Sequence, residues 1–142
     1  MTTSGISHIG LSVPDLDAAV AFWTATMGFE LVDRQPSLAF LVHREGRIGL
    51  GLSDHGGVVT GPCDERRAGL DHLAFGVPDA AALQAWVRRL DDDGVAHSGV
   101  LETDAGLHLN LRGPDRFPIE LFVLSPAMAE ALGVPEAAGS LV

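Results

Sequence analysis

Two stretches decide the fold: Ser7-His8-Ile9-Gly10-Leu11-Ser12-Val13-Pro14-Asp15 and Asp71-His72-Leu73-Ala74-Phe75-Gly76-Val77-Pro78-Asp79. His8 lies over His72, Val13 over Val77, Pro14 over Pro78 and Asp15 over Asp79 at one constant offset. The match continues without a gap through Ala18 over Ala82, Ala21 over Ala85 and Phe22 over Trp86. A match that runs unbroken from one periodic segment into the next reads as internal duplication.

Each copy then follows one local grammar. Residues 6–13 and 70–77 alternate as half-buried strands do. Pro14 and Pro78 end those strands, because proline has no N–H for the ladder. Asp15 and Asp79 are N-cap residues, followed by Leu16, Val20, Trp23 and Met27 in one copy and Leu83, Trp86, Val87 and Leu90 in the other, at helical spacing. Trp23 and Trp86 are read as core packing, and Gly28 and Gly94 as C-cap glycines. Three shorter strands follow each helix, near 29–34, 38–44 and 47–52 and near 95–100, 107–112 and 117–124. The expected fold class is α+β, with tandem βαβββ modules forming a curved mixed sheet around a cleft. The expected organisation is a single domain over 1–142, with module one at 5–53, a linker at 54–69, module two at 70–124, and a C-terminal helix and loose tail at 125–142.

Strand alternation places the histidines. Ile9, Leu11 and Val13 share one sheet face and must pack under the helix, so His8, Gly10 and Ser12 take the other. The same parity puts His72, Ala74 and Gly76 on the helix-free face. In the last strand Ile119, Leu121 and Val123 face the core, so Glu120 points the way His72 does. A carboxylate there is costly to bury unless paired or metal-bound. Alignment of Ile48 with Ile119 places Gly49 at the position of Glu120, so the first copy supplies no carboxylate. Two imidazoles and one carboxylate (His8, His72, Glu120) suit one divalent first-row metal ion, Fe, Mn, Zn or Ni, with coordination positions left open. Gly49 marks the open side, where substrate is expected. Both imidazoles must be neutral to bind, so metal affinity is expected to fall below about pH 6.5.

Composition narrows the partners. The net charge is −10, with 19 acidic residues against 9 basic ones, all arginine. Such a chain is repelled by phosphate backbones, and nucleic acid is not an expected partner. No apolar run reaches the ~18–20 residues of a membrane span, and the first residues show no secretory pattern. Cys63 is the single cysteine, so no internal disulfide forms. The expected setting is cytoplasmic and the expected partner a small-molecule substrate.

With its two His-x-x-x-x-Val-Pro-Asp motifs and the strand Pro118-Ile119-Glu120-Leu121-Phe122 after a Gly-Pro-Asp turn, the chain resembles the vicinal-oxygen-chelate superfamily. That superfamily includes glyoxalase I, extradiol dioxygenases, and the fosfomycin- and bleomycin-resistance proteins. The resemblance runs from Ile6 to about Leu124. It implies paired βαβββ modules around a metal held by His8, His72 and Glu120, and a substrate bound through adjacent oxygens. It further implies Glu120 as a base in a lyase or isomerase, or oxygen chemistry in a ring-cleaving dioxygenase. Gly49 stands where glyoxalase-I-type enzymes place a fourth ligand. Many members pair as dimers, so a homodimer is expected. The alternative is a non-catalytic protein that sequesters a small molecule or antibiotic, as bleomycin-resistance members do.

Around this set, Leu107, Leu109 and Leu111 face one way and His108, Asn110 and Arg112 the other. His108 is a candidate catalytic acid or base, its ordinary pKa lying near neutrality. Arg112 suits a bidentate hold on an anionic substrate group, and Asn110 lies beside it as a further substrate contact. His43, His55 and His97 are read as solvated surface. Asp91-Asp92-Asp93 is read as a solvated turn at a helix end, and Cys63 has no base beside it in sequence.

Overall fold

The computed structural model of the chain describes residues 5–134. The chain divides into two compact units. One runs to Cys63 and takes in Gly113–Arg116. The other holds Asp64–Arg112 and continues from Phe117. The loose tail expected beyond Gly133 lies, from residue 135 on, outside the described residues.

The N-terminal unit contains β1 (His8–Ser12), α1 (Leu16–Ala25), β2 (Glu30–Gln35), β3 (Leu38–His43) and β4 (Ile48–Ser53). Its strands pair in the order β1-β4-β3-β2, with β1 parallel to β4 and the other pairs antiparallel. The C-terminal unit repeats this with β5 (Leu73–Gly76), α2 (Ala80–Asp92), β6 (His97–Thr103), β7 (Gly106–Arg112) and β8 (Pro118–Leu124), in the order β5-β8-β7-β6. A last helix, α3 (Pro126–Leu132), follows β8. The α+β class and the duplicated βαβββ order are as the sequence predicts. The hydrogen-bonded strands of the described residues form two four-stranded mixed sheets.

Both helices start where the aspartates direct. Asp15 Oδ1 accepts from the Ala18 amide at 2.9 Å and Asp79 Oδ1 from the Ala82 amide at 2.7 Å. Each cap contributes about 1 kcal/mol. The C-caps are Thr26 and Asp93, and the expected glycines follow in the left-handed region, with φ of +77° at Gly28 and +68° at Gly94. Behind the helices, Leu41, Leu50 and Leu52 close the first core with Trp23 and Leu16, and Leu109, Ile119 and Leu121 close the second with Leu83 and Leu90. Each such side chain contributes about 1.5–3 kcal/mol of burial. Trp86 departs from expectation. It is half-buried, with the Arg89 guanidinium 5.7 Å from its ring centroid.

The expected first strands start late. In β1 the bond before His8 survives, Gly49 N–H donating to Ser7 O at 3.2 Å. In β5 the matching donor position is Pro118, which has no N–H, and the ladder begins at Leu73.

Register also corrects the comparison between copies. His8 pairs with Gly49 and Gly10 with Gly51, whereas Ala74, the counterpart of Gly10, pairs with Glu120. Gly51, not Gly49, therefore occupies the position of Glu120, and Gly49 corresponds to Pro118. The connection between paired Arg112 and Pro118 (residues 113–117) is one residue shorter than that between Val42 and Gly49 (43–48). Matching isoleucine to isoleucine hid that difference.

Candidate functional site

In the C-terminal unit the helix-free sheet face gathers His72, Glu120 and His108. β8 presents Glu120 between the buried Ile119 and Leu121. Asn110 of β7 is its register partner, with His108 two residues away on the same face. Glu120 Oε1 lies 2.7 Å from His108 Nδ1, and its Oε2 lies 3.7 Å from His72 Nε2. The side chains of Glu120 and His108 are 14% and 16% exposed, against 47% for His72, so the first pair is shielded while His72 meets solvent.

Hydrogen bonding assigns the protons. Thr103 Oγ1 accepts from the Ala105 amide, so its own hydroxyl hydrogen is available to His108 Nε2, 2.7 Å away. Because a carboxylate only accepts, His108 Nδ1–H donates to Glu120 Oε1. The His108 ring also stacks on Phe122, with centroids 4.4 Å apart. Held at both nitrogens and on one face, this imidazole has a single orientation.

His72 is fixed from behind. Its Nδ1 donates to Asp71 Oδ1 at 2.6 Å, which leaves the Nε2 lone pair pointing away from Asp71. A carboxylate holding the far nitrogen of an imidazole is the supporting contact that metal-ligating histidines use. One ion about 2.1 Å from each of two donors spans at most about 4.2 Å between them, so the 3.7 Å between His72 Nε2 and Glu120 Oε2 fits a shared ion. The donor set is that of a divalent first-row metal. Among the described residues, no group of three or more His, Cys, Asp or Glu side chains is assembled as a metal site.

His8 belongs to the N-terminal unit. It stands on the exposed face of β1 with Nδ1 3.0 Å from Ser7 Oγ, so the residue before the histidine takes Nδ1 in both copies. Its ring meets Phe40 edge-on at 6.2 Å. Phe40 changes the reading of Gly49. A Cβ on Gly49 would lie 2.7 Å from Phe40 Cζ and 3.0 Å from His8 Cβ. The residue is buried under that ring rather than bordering an opening. At Gly51 the nearest atom to an added Cβ is Ile9 O at 3.9 Å, so the room on this face is over Gly51.

A cavity of about 200 Å³ in the C-terminal unit is lined by His72, Glu120, Asn110, Arg112, Asp71 and Glu65, among others. Glu65 is the residue sequence reasoning missed. Both its oxygens accept from Arg112, Oε2 from Nη1 at 3.0 Å and Oε1 from Nη2 at 2.7 Å. The guanidinium beside it holds the Glu65 carboxyl well below the usual range, at about 2. Forty-seven residues separate the two in sequence, and no local pattern links them.

The remaining histidines are not simply solvated. His97 is 12% exposed, its Nε2 3.0 Å from Asp91 Oδ1, while its Nδ1 accepts from the Gly99 amide at the β6 bulge. That takes Asp91 out of the expected free acidic turn. His55 Nε2 lies 3.0 Å from Ser12 Oγ, and His43 Nδ1 accepts from the Gly46 amide. Cys63 is partly buried, and its backbone N–H donates to Asp115 O at 2.8 Å.

The sequence profile of the Glyoxalase/Bleomycin resistance protein/Dioxygenase superfamily matches residues 5–121. The chain belongs to this superfamily. A glyoxylase/bleomycin resistance protein/dioxygenase domain from Frankia sp. EAN1pec is 32% identical, with 87% of this chain and 100% of that one aligned at a TM-score of 0.75. A lactoylglutathione lyase from Agrobacterium tumefaciens shares 24% identity over 87% of this chain and 96% of its own, at a TM-score of 0.71. An antibiotic-binding protein from Streptomyces sp. CB03234 shares 24% identity over 88% and 99%, at a TM-score of 0.69. These last two likenesses show the fold. No curated protein matches the chain. Proteins of this fold thus include a lyase and an antibiotic-binding protein. Among the described residues, no helix is long and apolar enough to cross a membrane.

Proposed function

We propose that the chain is a metal-dependent enzyme that holds one divalent ion (Fe, Mn, Zn or Ni) through His8, His72 and Glu120 and acts on a small substrate bound through adjacent oxygens. The observation that carries this reading is the His72–Glu120 pair on one cavity, with Asp71 locking the His72 Nε2 lone pair forward. When bound, such an ion supplies Lewis-acid polarisation of a substrate oxygen. The chain's own residues do the rest. Glu120 would take a proton from the carbon beside a polarised carbonyl in lyase or isomerase chemistry, with His108, 2.7 Å from its Oε1, steadying the carboxylate. In ring-cleaving dioxygenase chemistry the same carboxylate stays a ligand. Asn110 contributes an amide to substrate orientation from the cavity wall. A homodimer in the cytoplasm completes the reading, consistent with a lone cysteine.

Calorimetric titration with these metal ions tests the proposal. One ion per chain is expected, with His8→Ala, His72→Ala and Glu120→Ala each weakening binding more than the ~10–100-fold that loss of a supporting partner costs. A wild-type chain that takes no ion yet binds a small molecule would replace this reading with the binding-protein one.

A further inference from the structure

We propose that Glu65 is a specificity-determining residue: its carboxylate occupies the anion seat that Arg112 offers, and so restricts the cavity to substrates without a carboxylate or phosphonate group. The inference rests on the reading of this cavity as the substrate site. It goes beyond that reading by naming the substrate class as uncharged molecules carrying neighbouring oxygens.

The geometry is that of a filled site. A guanidinium recognises a carboxylate or phosphonate through two parallel N–H···O bonds. Arg112 already makes that pair with Glu65, at 3.0 and 2.7 Å, on the wall of the cavity that holds His72 and Glu120. A substrate anion must displace a carboxylate that is part of the chain. Such a competitor presents itself at an effective concentration of millimolar or above without leaving its place. The Arg112 guanidinium lowers the Glu65 carboxyl to about 2, so the carboxylate that fills the seat is ionised across the ordinary pH range.

The remaining charges point the same way. Three carboxylates, Glu65, Asp71 and Glu120, line the cavity against the one guanidinium of Arg112. An incoming anion therefore meets net negative charge in the metal-free cavity, and a divalent ion only brings the wall to neutrality, leaving no net positive charge to attract it. A neutral hydroxyl–carbonyl or diol pair has no such cost. The glutamate also explains why an arginine that reads in sequence as an anion clamp stands in a cavity this acidic: it balances the wall rather than gripping substrate.

The test uses the full-length protein as purified, labelled with ¹⁵N, with the Arg112 Nε–H signal assigned by its loss in Arg112→Gln. Acetate and methylphosphonate are titrated in. The wild type is expected to show no saturable shift of that signal. Glu65→Gln, which keeps the shape and removes the charge, is expected to bind both anions at least about tenfold tighter, and Glu65→Gln/Arg112→Gln to lose the gain. Glu65→Ala serves the same comparison should the glutamine variant not fold. Saturable binding of either anion at Arg112 in the wild type, within about threefold of the Glu65 variant, would overturn the proposal. So would a folded Glu65 variant with no gain. The Arg112 signal is read without reference to metal uptake, so failure here and failure of the metal reading are separate results.

Discussion

Gly49 and Gly51 stand two residues apart on one strand face, and substituting each with alanine separates the two roles assigned to them. At Gly49 the new methyl would sit 2.7 Å from Phe40 Cζ and 3.0 Å from His8 Cβ. The His8 Cβ is tied to the backbone and cannot yield, so the Phe40 ring must swing off. Overpacking of this kind costs about 1–3 kcal/mol. At Gly51 the methyl meets only Ile9 O, at 3.9 Å. There the loss of glycine's freedom in the unfolded chain is worth about 0.4–1 kcal/mol of stabilisation. The two variants should thus differ by about 1.5–4 kcal/mol. In a chain of this size that is a melting-temperature gap of roughly 3–15 °C, with Gly49→Ala the lower. Thermal unfolding followed by circular dichroism measures it. Phe40→Leu, which removes Cζ, should recover part of the Gly49→Ala loss. Equal melting temperatures, or a Gly51→Ala variant less stable than Gly49→Ala, would refute the assignment of Phe40 over Gly49 and of open space over Gly51.

Three further outcomes follow from named contacts. Leu109 is 0% exposed, so Leu109→Ala should cost about 2–5 kcal/mol in urea unfolding with little change in the denaturant slope. Asp71→Asn keeps the contact to His72 Nδ1 but lets it run in the wrong direction, and should weaken metal binding by about 10–100-fold in calorimetric titration while leaving the melting temperature of the metal-free chain nearly unchanged. The Glu65 carboxyl lies lower in the folded chain than when unfolded, so the unfolded state binds more protons in this window. Its contribution is present above about pH 4.5 and lost as pH falls toward about 2. Acid unfolding curves should show the wild type losing more stability across that window than Glu65→Gln.

The repeat was readable because it is written in residues with fixed local jobs. Pro14 and Pro78 stop strands, Asp15 and Asp79 cap helices, and the alternation between them sets which face each histidine takes. Glu120 was readable for the same reason, as a charge between two core positions. What escaped depends on contacts distant in sequence. The counterpart of Glu120 turned on a one-residue difference between two turns, which side-chain type does not report and ladder register does. The Phe40 ring over Gly49 joins two strands, and the Glu65–Arg112 pair joins the segment before β5 to β7. His97 read as surface because its partner, Asp91, lies at the end of the preceding helix. Its second bond depends on a bulge in β6. Strand parity fixed directions, but occupancy of the space ahead needed the fold.

In the proposed site two imidazoles and one carboxylate of this chain bind one metal ion. X-ray absorption at the metal edge of the loaded protein tests it most directly. A first shell of nitrogen and oxygen only is expected, with outer-shell scattering from two imidazoles. One imidazole contribution should be lost in His8→Ala and one in His72→Ala. A sulfur neighbour from Cys63, scattering from a single imidazole in the wild type, or an unchanged shell in both variants would contradict it.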